Sequence, residues 1–298
     1  VQQNTRTETD ISGLTPANYN FYIMADAELV QTGTNTRNGI MAPLDLPPSP
    51  SPVTVYNNAS SPPSNQIDDG QNLPCNYLNW MDVSAYMDWS GLRPATELEF
   101  EKICRGPNQS FAGEFVWGNT NISDVNIPSS SLQNINFPDE SIGNPQENTG
   151  MATYQETINY GMLRCGIFAA SSINHSRQET GAAYYGVMEM AGNLYEQVVT
   201  AENPAGRSYT GQHGDGNLTA EGDANEDHWP GINGNVQNNE LSDVYSTIGV
   251  TAAAGASLRG GAWNVAALRL RISDRADGIT AKTSRDDDAG GRGVRTAN

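Results

Sequence analysis

No apolar run in this 298-residue chain approaches the ~18 residues that a membrane-spanning helix needs, so no transmembrane segment is expected. The opening VQQNTRTETD lacks the apolar stretch of a secretion signal. Cysteine is scarce: Cys75, Cys104 and Cys165 make neither a disulfide framework nor a metal-ligand cluster. Basic residues are scarce as well, 16 against 34 acids, and the formal net charge of −18 excludes a phosphate-backbone partner such as nucleic acid. His175, His213 and His228 are the only histidines and lie scattered in polar text, which reads as exposed surface rather than as a ligand set. Hydrophobic content is low at 37 %, yet a chain of this length buries enough of its surface to form a core.

What the chain does contain is punctuation. Thirty glycines and sixteen prolines point to a loop-rich α+β fold with short elements. Residues 1–70, broken by PPSPSP (47–52) and SPPSN (61–65), read as an extended N-terminal arm packed on the core, with YNFYIMADAEL (19–29) as its ordered stretch. Residues 71–298 form the domain proper. Within it Asp82 is placed to cap a short helix carrying Val83, Tyr86 and Met87 on one face, stopped by Gly91 and Pro94. Thr96 and Glu99 have the T-x-x-E spacing of a capping box. The helix that follows puts Phe100, Ile103 and Cys104 on one face, and Arg105–Gly106 closes it. FVWGN (115–119) predicts a short strand and turn, YYGVMEMAGNLYEQVVT (184–200) a strand–turn–strand, and residues 201–250 a long loop.

Five phrases recur in a fixed order: Trp80–Tyr86, Arg93–Glu101, Trp117-Gly118-Asn119, Gly186–Glu196, and a tail of Arg259-Gly260-Gly261-Ala262-Trp263 closing on Gly293-Val294-Arg295. Together they resemble the formylglycine-generating-enzyme (sulfatase-modifying factor) family, over about residues 73–298. The resemblance implies a C-type lectin fold with two short helices and short antiparallel strands. The family's oxidase holds copper on a cysteine pair shortly after the R-G-G phrase, and thiolates suit that soft metal. No cysteine follows Cys165 here, so the oxidase is disfavoured and no catalytic residue is assigned.

The resemblance has a narrower form, the variable proteins of diversity-generating retroelements. In these a template copied with errors at adenines randomises mainly Asn codons near the 3′ end of the gene, which never yields Lys, Gln, Glu, Met or Trp. Between Asn264 and Ala289 only Lys282 belongs to the excluded set, and all five acids, Asp274, Asp277, Asp286, Asp287 and Asp288, are Asp. The diversified segment is therefore placed at about 263–290. Its displayed residues are Asn264, Val265, Ala267, Leu268, Ala276, Asp277, Ile279, Thr280, Asp286, Asp287 and Asp288. Such a surface varies freely only if its side chains contribute little to folding, because buried changes commonly cost ~1–3 kcal/mol of a total of ~5–15. The frame must then hold the backbone alone. Trp263 and Leu270 are expected to anchor the core, Gly260, Gly261, Gly290, Gly291 and Gly293 to permit tight paths, and Arg259, Arg271, Arg275, Arg292 and Arg295 to tie loops down. Replacing Asp286, Asp287 and Asp288 with Ala is expected to leave the melting temperature nearly unchanged.

The resemblance also implies a structural calcium at Glu189, Gly192, Leu194 and Glu196, the alternative for Glu196 being an ion pair with an arginine. No cofactor is otherwise required. In HGDGN (213–217) Asp215 reads as a turn residue, with cation binding as the alternative. The expected function is non-catalytic recognition of a protein or surface ligand by a monomer, displayed on a cell surface or virion. A lectin-like module that is not diversified is the alternative.

Overall fold

The computed structural model describes residues 72–123, 131–135, 139–155, 161–219, 222–233 and 249–297, together with three short strands further upstream. Those strands are β1 (Phe21–Tyr22), β2 (Ile40–Ala42) and β3 (Tyr56–Asn57), which form an antiparallel sheet in the order β1-β2-β3. Only β1 lies in the stretch expected to be ordered. The packing of the arm on the core and both proline-rich segments fall outside the described residues.

Helix α1 spans Trp80–Trp89. Its cap is Asn79 rather than Asp82: the Asn79 side chain accepts from the Asp82 N–H at 2.9 Å, and the Asp82 carboxylate accepts from the Asn79 N–H at 3.1 Å. Asp82 is thus the returning half of a capping box. Val83 and Met87 are buried as expected, but Tyr86 is 56 % exposed, on a solvent stripe that continues to Trp89. Strand β4 (Arg93–Pro94) follows, then α2 (Glu97–Arg105), whose Thr96–Glu99 box forms as the spacing predicts. Phe100 and Cys104 are buried, Ile103 packs half-buried against the same cluster, and Gly106, at φ 66°, ends the helix.

Next come β5 (Leu132–Gln133) paired with β6 (Ser141–Ile142), and the five-residue α3 (Ile167–Ser171). Only Glu196–Val199 of the expected strand–turn–strand is a strand, β7. The residues before it turn repeatedly, because Gly186, Glu189, Gly192 and Asn193 all have φ between 58° and 79°, which a strand cannot accommodate. The segment 201–250, expected to be loop, carries α4 (Pro204–Arg207), β8 (Ile232–Asn233) and β9 (Gly249–Val250) in its described parts. Strand β10 (Ala256–Arg259) pairs antiparallel with β7, Ala256 opposite Val199 and Arg259 opposite Glu196, and every residue of both is buried.

After a 3₁₀ turn at Ala267–Leu270, β11 (Gly293–Val294) pairs with β4, tying the end of the chain to the link between the two main helices. One core cluster joins Phe100, Cys104, Phe115, Met190, Leu270 and Ile272, and another joins Trp80, Met87, Trp229 and Val250. No helix among the described residues is long and apolar enough to cross a membrane.

Candidate functional site

The tail from Asn264 to Ala289 is tethered by its carbonyl oxygens. The N–H of Tyr77 donates to Asp286 O at 3.0 Å, that of Tyr195 to Asp288 O at 2.8 Å, and that of Trp80 to Lys282 O at 2.9 Å. Side-chain donors add to these: Asn76 Nδ2 (3.0 Å) and Trp263 Nε1 (3.2 Å) both reach Asp287 O, and Asn79 Nδ2 reaches Thr283 O at 3.3 Å. Gln197 reaches into the same lattice, donating to Leu78 O and Gly290 O. Nearer the start of the tail, Gln155 N–H donates to Val265 O and Leu258 N–H to Asp277 O. None of these bonds uses a tail side chain, so none depends on which residue stands there.

Two side chains of the segment are true anchors, as expected. Trp263 is 8 % exposed and Leu270 fully buried. Ile272, which was not singled out in the sequence, is fully buried too. Gly260 and Gly261 have φ of 83° and 73°; at Gly261 a Cβ would meet Leu270 Cδ1 at 2.7 Å. Gly291 and Gly293 instead make room for Val83 and Leu92.

Of the expected arginine frame only Arg259 is buried, and it sits at the centre of an ion-pair network. Arg259 pairs with Glu97 (3.5 Å) and Glu101 (3.4 Å), lies over the Phe100 ring and donates to Ile272 O. Arg275 reaches the same two acids, Glu97 at 3.2 Å, and Arg105 bridges Glu101 to Glu114. Burial raises the Glu101 pKa, but hydrogen bonds from Arg105 and Arg275 outweigh it and hold the carboxyl below the usual range. Arg292 pairs with Glu196; Arg271 and Arg295 are exposed. Arg285, which the sequence reading passed over, grips Asp82 at the start of α1 with both ends of its fork.

Of the predicted display residues, Asn264, Leu268, Ala276, Ile279 and Thr280 are exposed, with Ile279 at 75 % and Leu268 at 51 %. Val265, Ala267, Asp277, Asp286, Asp287 and Asp288 are half-buried. Val265 and Ala267 lean on the core cluster of Phe100, which gives them a packing role as well as a surface. Part of the set converges on Tyr195. Its hydroxyl donates to Asp277 Oδ2 at 3.1 Å, and Asp288 and Arg269 lie near enough to affect its ionisation. Asn264 Nδ2 reaches Asp288 Oδ2 at 3.4 Å. Among the described residues no hydrogen bond or ion pair joins the side chains of Ala276, Ile279 or Thr280 to that group.

The acids of the DDD run are not interchangeable. Lys282 Nζ binds Asp286 at 2.8 Å and Asp288 at 3.0 Å. Burial works against an ionised Asp286, but the Lys282 ammonium overrides it and keeps its carboxyl low, whereas burial and the two neighbouring acids raise that of Asp287. The expectation that all three could become Ala at no cost is corrected on this ground. Lys282, half-buried, would lose both counterions.

The four residues implied for calcium lie on the turn leading into β7 and on its first residue, but the two carboxylates among them are engaged. Glu189 accepts from the Gly166 N–H at 3.1 Å, and burial pushes its carboxyl up to about 7. Glu196 is ion-paired with Arg292, the alternative noted for it. Gly192, at φ 73°, packs against the Thr153 carbonyl with no room for a Cβ, and Leu194 packs with Met162 and Trp263. A different acidic trio gathers elsewhere: the carboxylates of Asp88, Asp215 and Glu226 lie within 4.8 Å of one another. Asp88 accepts from the N–H groups of Asp215 and Asn225, and Glu226 accepts from Gln212. Asp215 accepts from Asn217 N–H at 2.7 Å, which is the Gly-Asp turn expected of HGDGN. His213 accepts from the Thr296 N–H, and His175 lies 2.9 Å from the Ser172 hydroxyl.

A family model described as the sulfatase-modifying factor enzyme 1-like domain matches residues 28–297. The chain belongs to that family. The match starts before the phrases that begin near residue 73. No curated protein matches the chain, and neither does any solved structure.

What the sequence reading missed is the clamp. Asn76, Tyr77, Asn79, Trp80, Tyr195 and Gln197 hold the tail, yet only Trp80 and Tyr195 fell in quoted family phrases, with no such role given them. Two asparagines and a glutamine flanking otherwise apolar stretches were the available signal, since buried amides need partners.

Proposed function

We propose that this chain is a non-catalytic ligand-binding protein that displays a variable patch over residues 263–290, of the kind diversity-generating retroelements produce. One observation carries the reading: the segment is held by its carbonyls, by buried Trp263, Leu270 and Ile272 and by the arginine frame, while none of the proposed display residues is fully buried. A surface built this way accepts exchange of side chains without loss of fold.

The ligand-contacting set is Asn264, Leu268, Ala276, Asp277, Ile279, Thr280 and Asp287, with Val265, Ala267, Asp286 and Asp288 at its partly packed margin. Affinity comes from shape and local polarity, and small residues such as Ala276 and Thr280 favour weak binding strengthened by multiple copies. A non-catalytic role is supported by the lack of any cysteine after Cys165 and by full burial of Cys104, whose thiol is pushed well up. The calcium implied by the family resemblance has no part in this reading.

The deciding experiment is nucleotide sequencing of the locus. Expected is a near-identical template beside a reverse transcriptase gene, with adenines opposite the exposed positions. Absence of such a template leaves an undiversified binding module. Oxidation of a cysteine-containing peptide in the presence of copper would overturn the non-catalytic reading.

A further inference from the structure

Where the turn enters β7, Glu196 is ion-paired with the Arg292 guanidinium, and Glu189 lies near enough to feel the same charge. Arg292 Nε donates to Glu196 Oε1 at 2.9 Å, Nη2 lies 2.8 Å from the same oxygen, and Nη2 also donates to Met188 O at 3.3 Å. Arg292 therefore binds one carboxylate and one carbonyl of the phrase Gly186–Glu196, the mixture of oxygen donors that a hard cation takes. A calcium ion on Glu196 would sit ~2.3–2.6 Å from its oxygens. Both guanidinium nitrogens already stand within 2.9 Å of Oε1, so on that oxygen the two cations exclude each other. The position of Arg292 is itself fixed. Gly290, two residues earlier, donates to Tyr195 O and accepts from Gln197, both on or beside β7.

We infer that Arg292 is the resident cation of this acidic turn, that it makes the turn independent of calcium, and that removing its charge turns the turn into a calcium site. The guanidinium is part of the chain, so it is present at an effective concentration that a free ion does not match. It also connects the two halves of the molecule. Glu196, the first residue of β7, is held by a residue just beyond the tail, so the chain following Gly290 is locked to β7 by charge as well as by backbone bonds. This inference concerns the frame and stands whether or not the patch is diversified.

The test is thermal unfolding of the full chain and of Arg292→Met in EGTA, in millimolar calcium, and in millimolar magnesium at matched ionic strength. For the wild type, calcium and magnesium are expected to act alike, as general screening of a strongly acidic protein. Arg292→Met is expected to melt lower in EGTA and to recover part of the loss with calcium but not magnesium, with one calcium site appearing by calorimetry. Calcium-selective stabilisation of the wild type that persists in Asp215→Asn, which disables the separate trio of Asp88, Asp215 and Glu226, overturns the inference, and so does a folded Arg292→Met variant that ignores calcium. If Arg292→Met does not fold, Arg292→Lys keeps the charge and is expected to be as indifferent to calcium as the wild type. A calcium-selective rise in its melting temperature would also overturn the inference.

Discussion

The β7–β10 pair and the tail solve the same problem in opposite ways. In β7–β10 every side chain is buried, and Val198, Val199, Ala256 and Leu258 belong to the core clusters, so residue identity and fold are inseparable. Between Asn264 and Ala289 the fold is carried mainly by carbonyl oxygens and a few anchors. One region is specified by what its side chains are, the other by where its backbone runs. On the proposed function, stability and variability share one domain because they rest on different atoms of the chain.

The contrast can be broken most severely at Arg259, where the two regions meet. Arg259→Ala removes one of the two guanidinium partners of Glu97, one of the three of Glu101 and the donor to Ile272 O, and should cost about 3 kcal/mol in denaturant unfolding, the lower end of what breaking a buried ion pair costs, because Arg275 and Arg105 remain. Next comes Glu101→Gln, expected to lose about 1.5–3 kcal/mol at pH 7 from its charge-assisted bonds to Arg105 and Arg275. Because the folded carboxyl lies below its ordinary value of 4.5, the stability it confers is complete above that value and disappears as pH falls through the lowered one. The gap in melting temperature between this variant and the wild type should thus close on acidification. A gap that persists at low pH would show that packing, not charge, is lost.

Smaller still is the double change Asp286→Ala with Asp288→Ala, which strands Lys282 and should cost about 1–2 kcal/mol, read by the same unfolding curve. Lys282→Met in that background should recover part of it, which sharpens the comparison by showing that a side-chain pair helps hold the tail. Substitutions at Ala276, Ile279 and Thr280 should stay within about 0.5 kcal/mol for any residue but proline, since the N–H groups of Ala276 and Thr280 are hydrogen-bonded. A large loss at any of the three would erase the distinction between the regions.

Local chemistry was the part of the fold legible in sequence. The Thr96–Glu99 box, the Phe100–Cys104 face and the Gly106 stop follow from spacings of a few residues, and all three stand in the structure. The cap of α1 was misplaced by three residues because Asn79 and Asp82 are reciprocal partners and either is a good cap. The run from Tyr184 to Leu194 misled because its apolar content suggests a strand, while positive φ at Glu189 and Asn193 leaves no mark in composition. The tail's exposure was legible from its lack of any period, and its anchors from Trp263 and Leu270. Its clamp was not, since Asn76 reaches a carbonyl 211 positions away and a bond to a carbonyl imposes no residue type on the acceptor. The Lys282–Asp286 pair did have a readable i, i+4 spacing, masked by the uniform acidity of the DDD run.

That last property of the clamp reaches further. A peptide oxygen is the one polar group that all twenty amino acids share, proline included, so the hooks at positions 282, 283 and 286–288 are blind to whatever is written there. On the donor side Asn76, Asn79 and Trp263 grip with their side chains and are the residues to preserve if the segment is transplanted or used as a library scaffold, whereas Tyr77, Trp80 and Tyr195 grip with backbone N–H groups that any residue but proline supplies.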